Sequence, residues 1–156
     1  MAIEVMRATQ LWQQAGAYSV RIQGMGRQHH IPLSQEFDEH DGPDTRYIVL
    51  LDDGYPVATC RLYALTGGDV MLGRVVVLPE YRGCGLGRQT MEEAERWARE
   101  LGFARIVLES RVGKVAFYEK LGYLKQSGDI IHGDTFDCVS MTKALLPGAG
   151  QEVHAP

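Results

Sequence analysis

The stretch LPEYRGCGLGRQTMEEAERWARELG, residues 78–102, joins a glycine-rich loop to the start of a helix. Glycine occupies three alternate positions of its RGCGLG segment, and an amphipathic helix is predicted from Arg88 until Gly102. A helix begins with unpaired N–H groups and the positive end of its dipole. Glycines directly before it let the chain turn tightly and let a bulky anion reach the backbone amides. The pattern predicts a cradle for a phosphate or pyrophosphate group, to which Arg82 and Arg88 add positive charge.

Two familiar nucleotide-binding signatures do not fit this loop. A P-loop requires Lys-Ser or Lys-Thr after its glycines, and neither pair follows here. A dinucleotide fingerprint requires G-x-G-x-x-G, but its last position falls on Arg88 or Thr90. The loop is therefore a phosphate cradle of another kind.

The composition is ordinary for a globular chain of 156 residues, with 45% hydrophobic and 23% charged residues. The simplest organisation is a single domain over residues 1–146, followed by a flexible tail, 147–156, rich in Gly, Ala and Pro. A net charge of −4 gives no electrostatic case for a nucleic acid or an anionic membrane as partner. Neither a signal peptide nor an apolar run of transmembrane length is visible.

The number and spacing of the cysteines indicate the compartment of the protein and whether they could bind a metal. The three cysteines, Cys60, Cys84 and Cys138, lie far apart and lack the spacing of metal ligands. An odd and sparse count is more typical of the reducing cytoplasm than of a disulfide framework. The sequence therefore predicts a cytoplasmic protein without a metal.

The remaining pattern predicts an α+β sheet. Strands are predicted at 3–9, 46–51, 55–65, 70–79, 104–110 and 137–145, with a short helix at 114–123. Asp52-Asp53-Gly54 is a strong hairpin signal between the second and third strands. The β-branched run closed by Pro79 is predicted to be a buried central strand. This order predicts a sheet that is antiparallel at its start and contains one parallel β–α–β crossover.

A second amphipathic helix is predicted from Leu11. Its apolar residues step by 4, 3, 4 and 3 and so share one face: Leu11, Ala15, Tyr18, Ile22 and Met25. Three glycines weaken this helix, and we expect it to break near Gly24. The acidic run EFDEHD, residues 36–41, is predicted to be solvated loop charge unless it lines a cleft.

The loop carries a resemblance to a known superfamily. The segment from Arg82 to Gly87 matches R/Q-x-x-G-x-G/A, the pattern of the GNAT superfamily of acyl-CoA-dependent N-acyltransferases. The segments that follow, with VLES, AFYEKLGY and a final strand, also resemble the core of that superfamily in its usual order. The resemblance spans roughly residues 3–145.

The front segment, residues 20–41, resembles the opening of the bacterial subgroup called YjcF-like or ElaA-like. The matching residues are Arg21, Ile31-Pro32, Glu36, Asp38 and Asp41. Three departures stand out: Met25 replaces an aromatic residue, Gln28-His29 replaces Glu-Gln, and Cys138 replaces a histidine of the final strand.

The resemblance implies a GNAT-type α+β fold with a mixed, mostly antiparallel sheet of six to seven strands flanked by helices. Its two central parallel strands would splay in a V, which leaves a strand edge free. It further implies acetyl-CoA as co-substrate, an amine acceptor as partner, and a homodimer as one option. The residues implied to bind the cofactor are Val75, Val76 and Val77 on the strand and Arg82, Gly83, Cys84, Gly85, Leu86, Gly87 and Arg88 in the loop. The strand would pair with the pantetheine arm, and the loop amides would bind the pyrophosphate.

Tyr118 matches the superfamily tyrosine that protonates the departing thiolate, so the resemblance makes it the catalytic residue. The alternative is an aromatic that packs the helix onto the sheet, a role for which Phe117 is the better candidate. The general base stays open. The candidates are His29, His30, Glu80, Glu109 and a water molecule.

Two functions from different classes follow. The first is an N-acetyltransferase that moves acetyl from acetyl-CoA to a primary amine of a small molecule or peptide by direct attack. The alternative is a CoA-binding regulatory module with little or no catalysis, for which the departures at Gln28-His29 and Cys138 leave room. The intact loop and Tyr118 favour the enzyme. Neither the acceptor nor the use of other acyl groups is indicated by the sequence.

Overall fold

The helices and strands follow the predicted order, with small differences in their ends. The structure is a computed structural model and describes residues 1–145. The helices are α1 (Leu11–Arg21), α2 (Leu33–Glu36), α3 (Leu86–Glu100) and α4 (Val115–Lys120). The strands are β1 (Ile3–Ala8), β2 (Arg46–Asp52), β3 (Tyr55–Ala64), β4 (Asp69–Val77), β5 (Arg105–Arg111), β6 (Leu124–Lys125), β7 (Ile131–His132) and β8 (Asp137–Ala144).

The described chain divides into two compact units. Unit 1 comprises Met1–Tyr63 and Leu72–Ala94, and unit 2 comprises Ala64–Met71 and the chain from Glu95 onward. The organisation as one domain over residues 1–146 stays a prediction. The tail predicted at 147–156 lies outside the described residues.

Unit 1 contains an antiparallel meander of β1, β2 and β3. Ile3 pairs with Asp52 at one end of the β1–β2 ladder, and Ala8 pairs with Tyr47 at the other. The predicted hairpin joins β2 to β3, and the chain turns there through positive φ angles at Asp53 and Gly54. Helix α1 packs on this meander. Its Ala17 belongs to a fully buried apolar cluster with Ala8, Tyr47 and Val49.

Unit 2 contains the parallel pairing. The first three residues of β4 pair in parallel with β5, from Asp69 with Arg105 to Met71 with Val107. β8 pairs antiparallel with β5 and also carries the two short strands β6 and β7. The α+β fold class is therefore confirmed: a mixed sheet, mostly antiparallel, with one parallel pair and flanking helices. Within residues 1–145 the sheet has eight strands, more than the six to seven expected, because β6 and β7 are two residues long and too short to show alternation in the sequence.

The predicted inward face of α1 is correct only in part, because Tyr18 and Met25 pack inward but Leu11, Ala15 and Ile22 are exposed. Leu11, the first member of its apolar stripe, is 78% exposed, whereas Gln14 and Arg21 are buried. Gln14 turns inward because its side-chain amide donates to backbone carbonyls of the loop at residues 42, 43 and 45. Polar partners elsewhere in unit 1 thus decided the orientation of the helix, and a count of apolar residues could not include them.

The chain remains helical beyond the predicted break. α1 ends at Arg21, and residues Ile22–Arg27 continue as a π-helical segment. Gly24 is required there by close approach, because a methyl group at this position would lie 2.5 Å from Cγ1 of Val76. The π-helical segment therefore packs directly on β4, the strand assigned to the cofactor.

Candidate functional site

The glycine loop has the backbone that its sequence predicts. Gly83 and Gly85 adopt φ angles of +78° and +80°, a left-handed region that non-glycine residues enter only at a cost. A Cβ atom at either position would meet nothing within 4 Å. Glycine is thus required for the dihedral angle, and the space beside the loop is open.

The helix behind the loop begins at Leu86, two residues earlier than predicted. Its first backbone bond runs from the Gln89 amide to the Gly85 carbonyl oxygen, at 3.1 Å. The amides of residues 86–88 belong to the first turn, which has no intrahelical acceptor to offer them. Leu86 is buried and anchors this turn, whereas Gly83, Cys84 and Gly85 are exposed. The donor set and the open space fit a pyrophosphate group.

The two arginines of the loop are engaged with protein groups. Arg82 donates from Nε to the Val77 carbonyl oxygen at 3.2 Å and from Nη2 to Oε1 of Gln28 at 3.0 Å. Arg88 pairs with Glu92, one turn along α3, at 2.8 Å. Arg82 therefore ties the loop to the end of β4 and to the front segment, in addition to adding charge.

Val75, Val76 and Val77 alternate as strand residues should. Val76 is 4% exposed and faces the π-helical segment, where Gly24 makes room for it. Val75 and Val77 are half-buried and lie on the opposite face. All the residues implied to bind the cofactor lie in unit 1, close together along the chain.

Tyr118 lies in α4, within unit 2, and is half-buried. Its ring makes edge-to-face contacts with Phe117 and Tyr123, at centroid distances of 5.0 and 6.0 Å. The end of its helix is fixed because Lys143 donates from Nζ to the Leu121 carbonyl oxygen at 2.6 Å.

A buried carboxylate supports this arrangement. Glu95, which is buried, accepts hydrogen bonds from the Tyr123 hydroxyl and from Nζ of Lys143, each at 3.0 Å. The ring beside Tyr118 and the lysine that fixes its helix are thus held by one group.

The candidates for a general base have different surroundings. His29 is half-buried in the turn after the π-helical segment, and His30 is exposed with a φ of +55°. Glu80 is exposed after Pro79, as its position predicts. Glu109 is also exposed, because it lies on the strand face opposite Leu108 and Ser110. None of these surroundings identifies the base.

The cysteine thiols differ in burial. Burial raises the pKa of the Cys60 thiol to about 12. Burial and the neighbouring charge of Glu109 raise the pKa of Cys138. Cys84 is exposed in the glycine loop, and its thiol points to the Arg82 carbonyl oxygen at 3.8 Å.

Within the acidic run at 36–41, Glu36, Asp38 and Asp41 are not solvated loop charge, which corrects the prediction for these three; only Glu39 is exposed as predicted. Arg21 is completely buried and donates to Oε1 of Glu36 at 3.1 Å and to Oδ1 of Asp41 at 2.7 Å. Asp41 also accepts the Tyr47 hydroxyl, at 2.6 Å. The acidic side chains turn inward because buried arginines pair with them.

The pairing extends to two further strands. Arg61 of β3 donates to Asp38 at 2.8 Å and to Asp41 at 3.1 Å, and Arg74 of β4 donates to Asp38 at 3.2 Å. We call the six side chains the charge network: Arg21, Glu36, Asp38, Asp41, Arg61 and Arg74. Sequence reasoning missed Arg61 and Arg74. The signal was present, since each interrupts an otherwise apolar strand.

The network keeps Arg21 and Asp41 ionised. Burial acts to lower the pKa of the Arg21 guanidinium, but the hydrogen bonds and charges of Asp41 and Glu36 raise it above its usual value. Burial likewise acts to raise the pKa of Asp41. Hydrogen bonds from Arg21, Tyr47 and the Asp38 amide outweigh burial and hold that pKa well below its usual range.

Residues 1–145 contain neither a candidate membrane-spanning helix nor a candidate metal site. None of the helices there has both the length and the apolar character of a membrane span. Within the same part of the chain, no cluster of His, Cys, Asp and Glu side chains is arranged to hold a metal ion.

Comparison with known proteins gives a consistent family match. The sequence model of the acetyltransferase (GNAT) family matches residues 8–123. An uncharacterized acetyltransferase of Streptococcus pyogenes is 32% identical over 114 residues, which cover 73% of this chain and 77% of that protein.

Solved structures agree in fold. A protein described as an N-acetyltransferase from Lactobacillus plantarum is similar with a TM-score of 0.87 and 31% identity, over 94% of this chain and 100% of the other. Escherichia coli ElaA gives a TM-score of 0.77 at 19% identity, over 90% and 99%. The PaiA N-acetyltransferase of Thermoplasma acidophilum, solved with coenzyme A, gives 0.69 at 16% identity, over 92% and 99%.

Proposed function

Since the chain belongs to the acetyltransferase (GNAT) family, we propose that it transfers an acetyl group from acetyl-CoA to a primary amine of a small molecule or peptide. The observation that carries the proposal is the glycine loop. Its two left-handed glycines have open space beside them and lead into a helix whose first amides have no intrahelical acceptor. A bulky anion can reach such amides, and the pyrophosphate of CoA is an anion of this kind. The PaiA structure supports the choice of ligand, because that protein was solved with coenzyme A.

The binding roles are distributed along one stretch of chain. The backbone amides from Arg82 to Arg88 would hold the pyrophosphate, and the guanidinium of Arg82 would keep the loop attached to Val77 through its hydrogen bond. The backbone of Val75 to Val77 would pair with the amide-rich pantetheine arm as with an added strand. The adenine and ribose need no assigned residue in this scheme.

The chemistry is a direct acyl transfer. The neutral amine nitrogen attacks the thioester carbonyl carbon, the carbon–sulfur bond breaks, and the thiolate leaves. The Tyr118 hydroxyl gives its proton to the departing sulfur, and the proton that the amine loses passes to a base that stays unassigned. The acceptor, the homodimer and the cytoplasmic location remain predictions.

The first experiment is a calorimetric titration with acetyl-CoA. We expect saturable binding, weakened in Arg82→Ala by about 10-fold or more, because the loop loses a charge and two anchoring hydrogen bonds. Acetyl phosphate serves as the control and should not compete, since it lacks the pantetheine arm. An absence of binding in the wild type would contradict the proposal.

The second experiment is an amine screen with Tyr118→Phe, and with Tyr123→Phe as the matched control. Loss of a general acid should lower kcat by about 10²-fold or more. Tyr123→Phe removes a hydroxyl from the neighbouring ring, and it should affect stability more than turnover because that hydroxyl binds buried Glu95. Equal rates for Tyr118→Phe and wild type would overturn the acid assignment. CoA binding without turnover of any amine would favour the regulatory module.

A further inference from the structure

Arg74 has an unusual backbone for a strand residue. Its φ is +49°, and of the three non-glycine residues with positive φ in the described chain, it alone lies within a strand. The other two, His30 and Asp53, lie in turns. A left-handed non-glycine residue is unfavourable by itself and persists only when surrounding contacts impose it. Such an irregularity in a strand changes the direction of the residues that follow.

The contacts that impose this conformation come from the front segment. Nε of Arg74 donates to the Glu36 carbonyl oxygen at 3.1 Å and lies 3.7 Å from the Glu36 carboxylate. Nη2 donates to Oδ2 of Asp38 at 3.2 Å. One guanidinium thus engages three oxygens of two residues, an arrangement that a planar fork of donors permits.

The positions of Glu36 and Asp38 are themselves fixed by two other arginines. Arg21, completely buried, donates to the Glu36 carboxylate and from Nη2 to the Glu36 carbonyl oxygen at 2.8 Å. Arg61, also buried, donates to both carboxylate oxygens of Asp38, at 2.8 and 3.4 Å. The oxygens that receive Arg74 therefore cannot shift without breaking buried ion pairs.

The charges of the network balance. It contains three arginines and three carboxylates, so it offers no excess negative charge to attract a cationic amine. The effect of the network is to fix the conformation of Arg74. The next three residues along the chain are Val75, Val76 and Val77, the segment assigned to the pantetheine arm.

We propose that Arg74 is a positioning residue, through which the charge network sets the backbone of Val75–Val77 to receive the cofactor arm. The inference rests on the proposed function in that the ligand is CoA. It makes the front segment responsible for cofactor affinity through Arg74, in addition to the hydrogen bond between Gln28 and Arg82 of the glycine loop.

The test compares Arg74→Gly with the wild type by two independent measurements. Glycine adopts the left-handed conformation without strain and removes the guanidinium, so the fold is kept while the anchor is lost. Amide hydrogen exchange at residues 75–77, measured without ligand, should accelerate by about tenfold. KM for acetyl-CoA should rise by about tenfold while kcat at saturation is unchanged, because no reacting group is altered.

Two further variants sharpen the result. Arg74→Lys keeps the charge but has one nitrogen in place of the fork, so it should restore KM only in part. Arg105→Ala breaks an exposed ion pair to Asp69, at the other end of β4, and should leave exchange at residues 75–77 unchanged. Unchanged exchange and unchanged KM in Arg74→Gly would overturn the proposal, as would equal effects of Arg105→Ala.

These measurements distinguish failure of the proposed function from failure of the proposal for Arg74. If the wild type does not bind acetyl-CoA, the function is wrong, while exchange in the ligand-free variants still decides whether Arg74 fixes the strand. If the wild type binds and Arg74→Gly lowers kcat with KM unchanged, the residue acts in another step and the positioning role is excluded.

Discussion

The glycine loop and the charge network handle polar groups in opposite ways, although both lie in unit 1. The loop leaves backbone amides beside open space and depends on two left-handed glycines for its shape. The network takes charged side chains out of water and pairs each with another. An exposed donor is available to a ligand, whereas a buried and paired one is available only to its partner. The glycine loop can therefore bind a ligand, whereas the charge network can only fix the positions of its own side chains.

The two regions also differ in what a single substitution removes. A substitution in the loop changes the backbone dihedral angles of an exposed segment, which costs little stability. Removing a fully buried member of the network, such as Arg21, leaves a buried charge without its partner, which costs much more. The following experiments measure this contrast, beginning with the largest expected effect.

Arg21→Met should lower the free energy of unfolding by about 3–5 kcal/mol, because Glu36 and Asp41 remain buried without their main partner. Urea unfolding at neutral pH measures the change. The control is Arg105→Met, which breaks the exposed pair with Asp69 and should cost less than about 1 kcal/mol. Similar losses in the two variants would show that burial does not set the strength of these pairs.

Acid should weaken the network through Asp41. Its pKa lies below the usual 3.8 in the folded protein, so its contribution is complete above about pH 4 and is lost as pH falls further. Urea unfolding at a series of pH values should show this decline in the wild type and a shallower one in Asp41→Asn. Asp52→Asn is the control. The hydrogen bond from Tyr81 lowers the pKa of Asp52 too, but solvent screens that group, and its removal should change the slope less. Equal slopes in all three proteins would contradict the assignment.

Gly85→Ala should cost about 1–2 kcal/mol of stability, because alanine resists a φ of +80°. Gly67→Ala is a closely matched control, since Gly67 has a φ of +78° and equally open surroundings in the turn before β4. Thermal unfolding should shift alike in both variants, and only Gly85→Ala should weaken acetyl-CoA binding in calorimetry. If both variants bind acetyl-CoA equally well, the glycine loop does not contribute to binding the cofactor.

Leu11→Ala should change stability by less than about 0.5 kcal/mol, because Leu11 is exposed. Met25→Ala, at the other end of the predicted apolar face, should cost about 2–5 kcal/mol since that side chain is buried. Urea unfolding of the two variants compares the exposed end of the predicted apolar face with its buried end. A large loss of stability in Leu11→Ala would show that Leu11 faces the core, as periodicity predicts.

These contrasts explain which predictions held. The strands, the hairpin and the glycine-loop helix depend on signals within a few residues: alternation, turn residues and glycines before a helix. The face of α1 depends on the loop carbonyls that accept from Gln14 and on the carboxylates that pair with Arg21. The state of residues 36–41 depends also on Arg61 and Arg74, which lie on distant strands. Periodicity weighs apolar residues only, so it placed Leu11 inside and left Arg21 outside.

Local chemistry thus determined from sequence alone that the chain has a glycine cradle before a helix, an α+β sheet with one parallel crossover, and a tyrosine at position 118 in the short helix after it. Only the tertiary structure decided that Glu36, Asp38 and Asp41 form ion pairs with arginines and that Arg74 adopts a left-handed conformation immediately before Val75. The physical reason is that burying a charge is favourable only when opposite charges converge on it, and convergence is a property of three-dimensional arrangement.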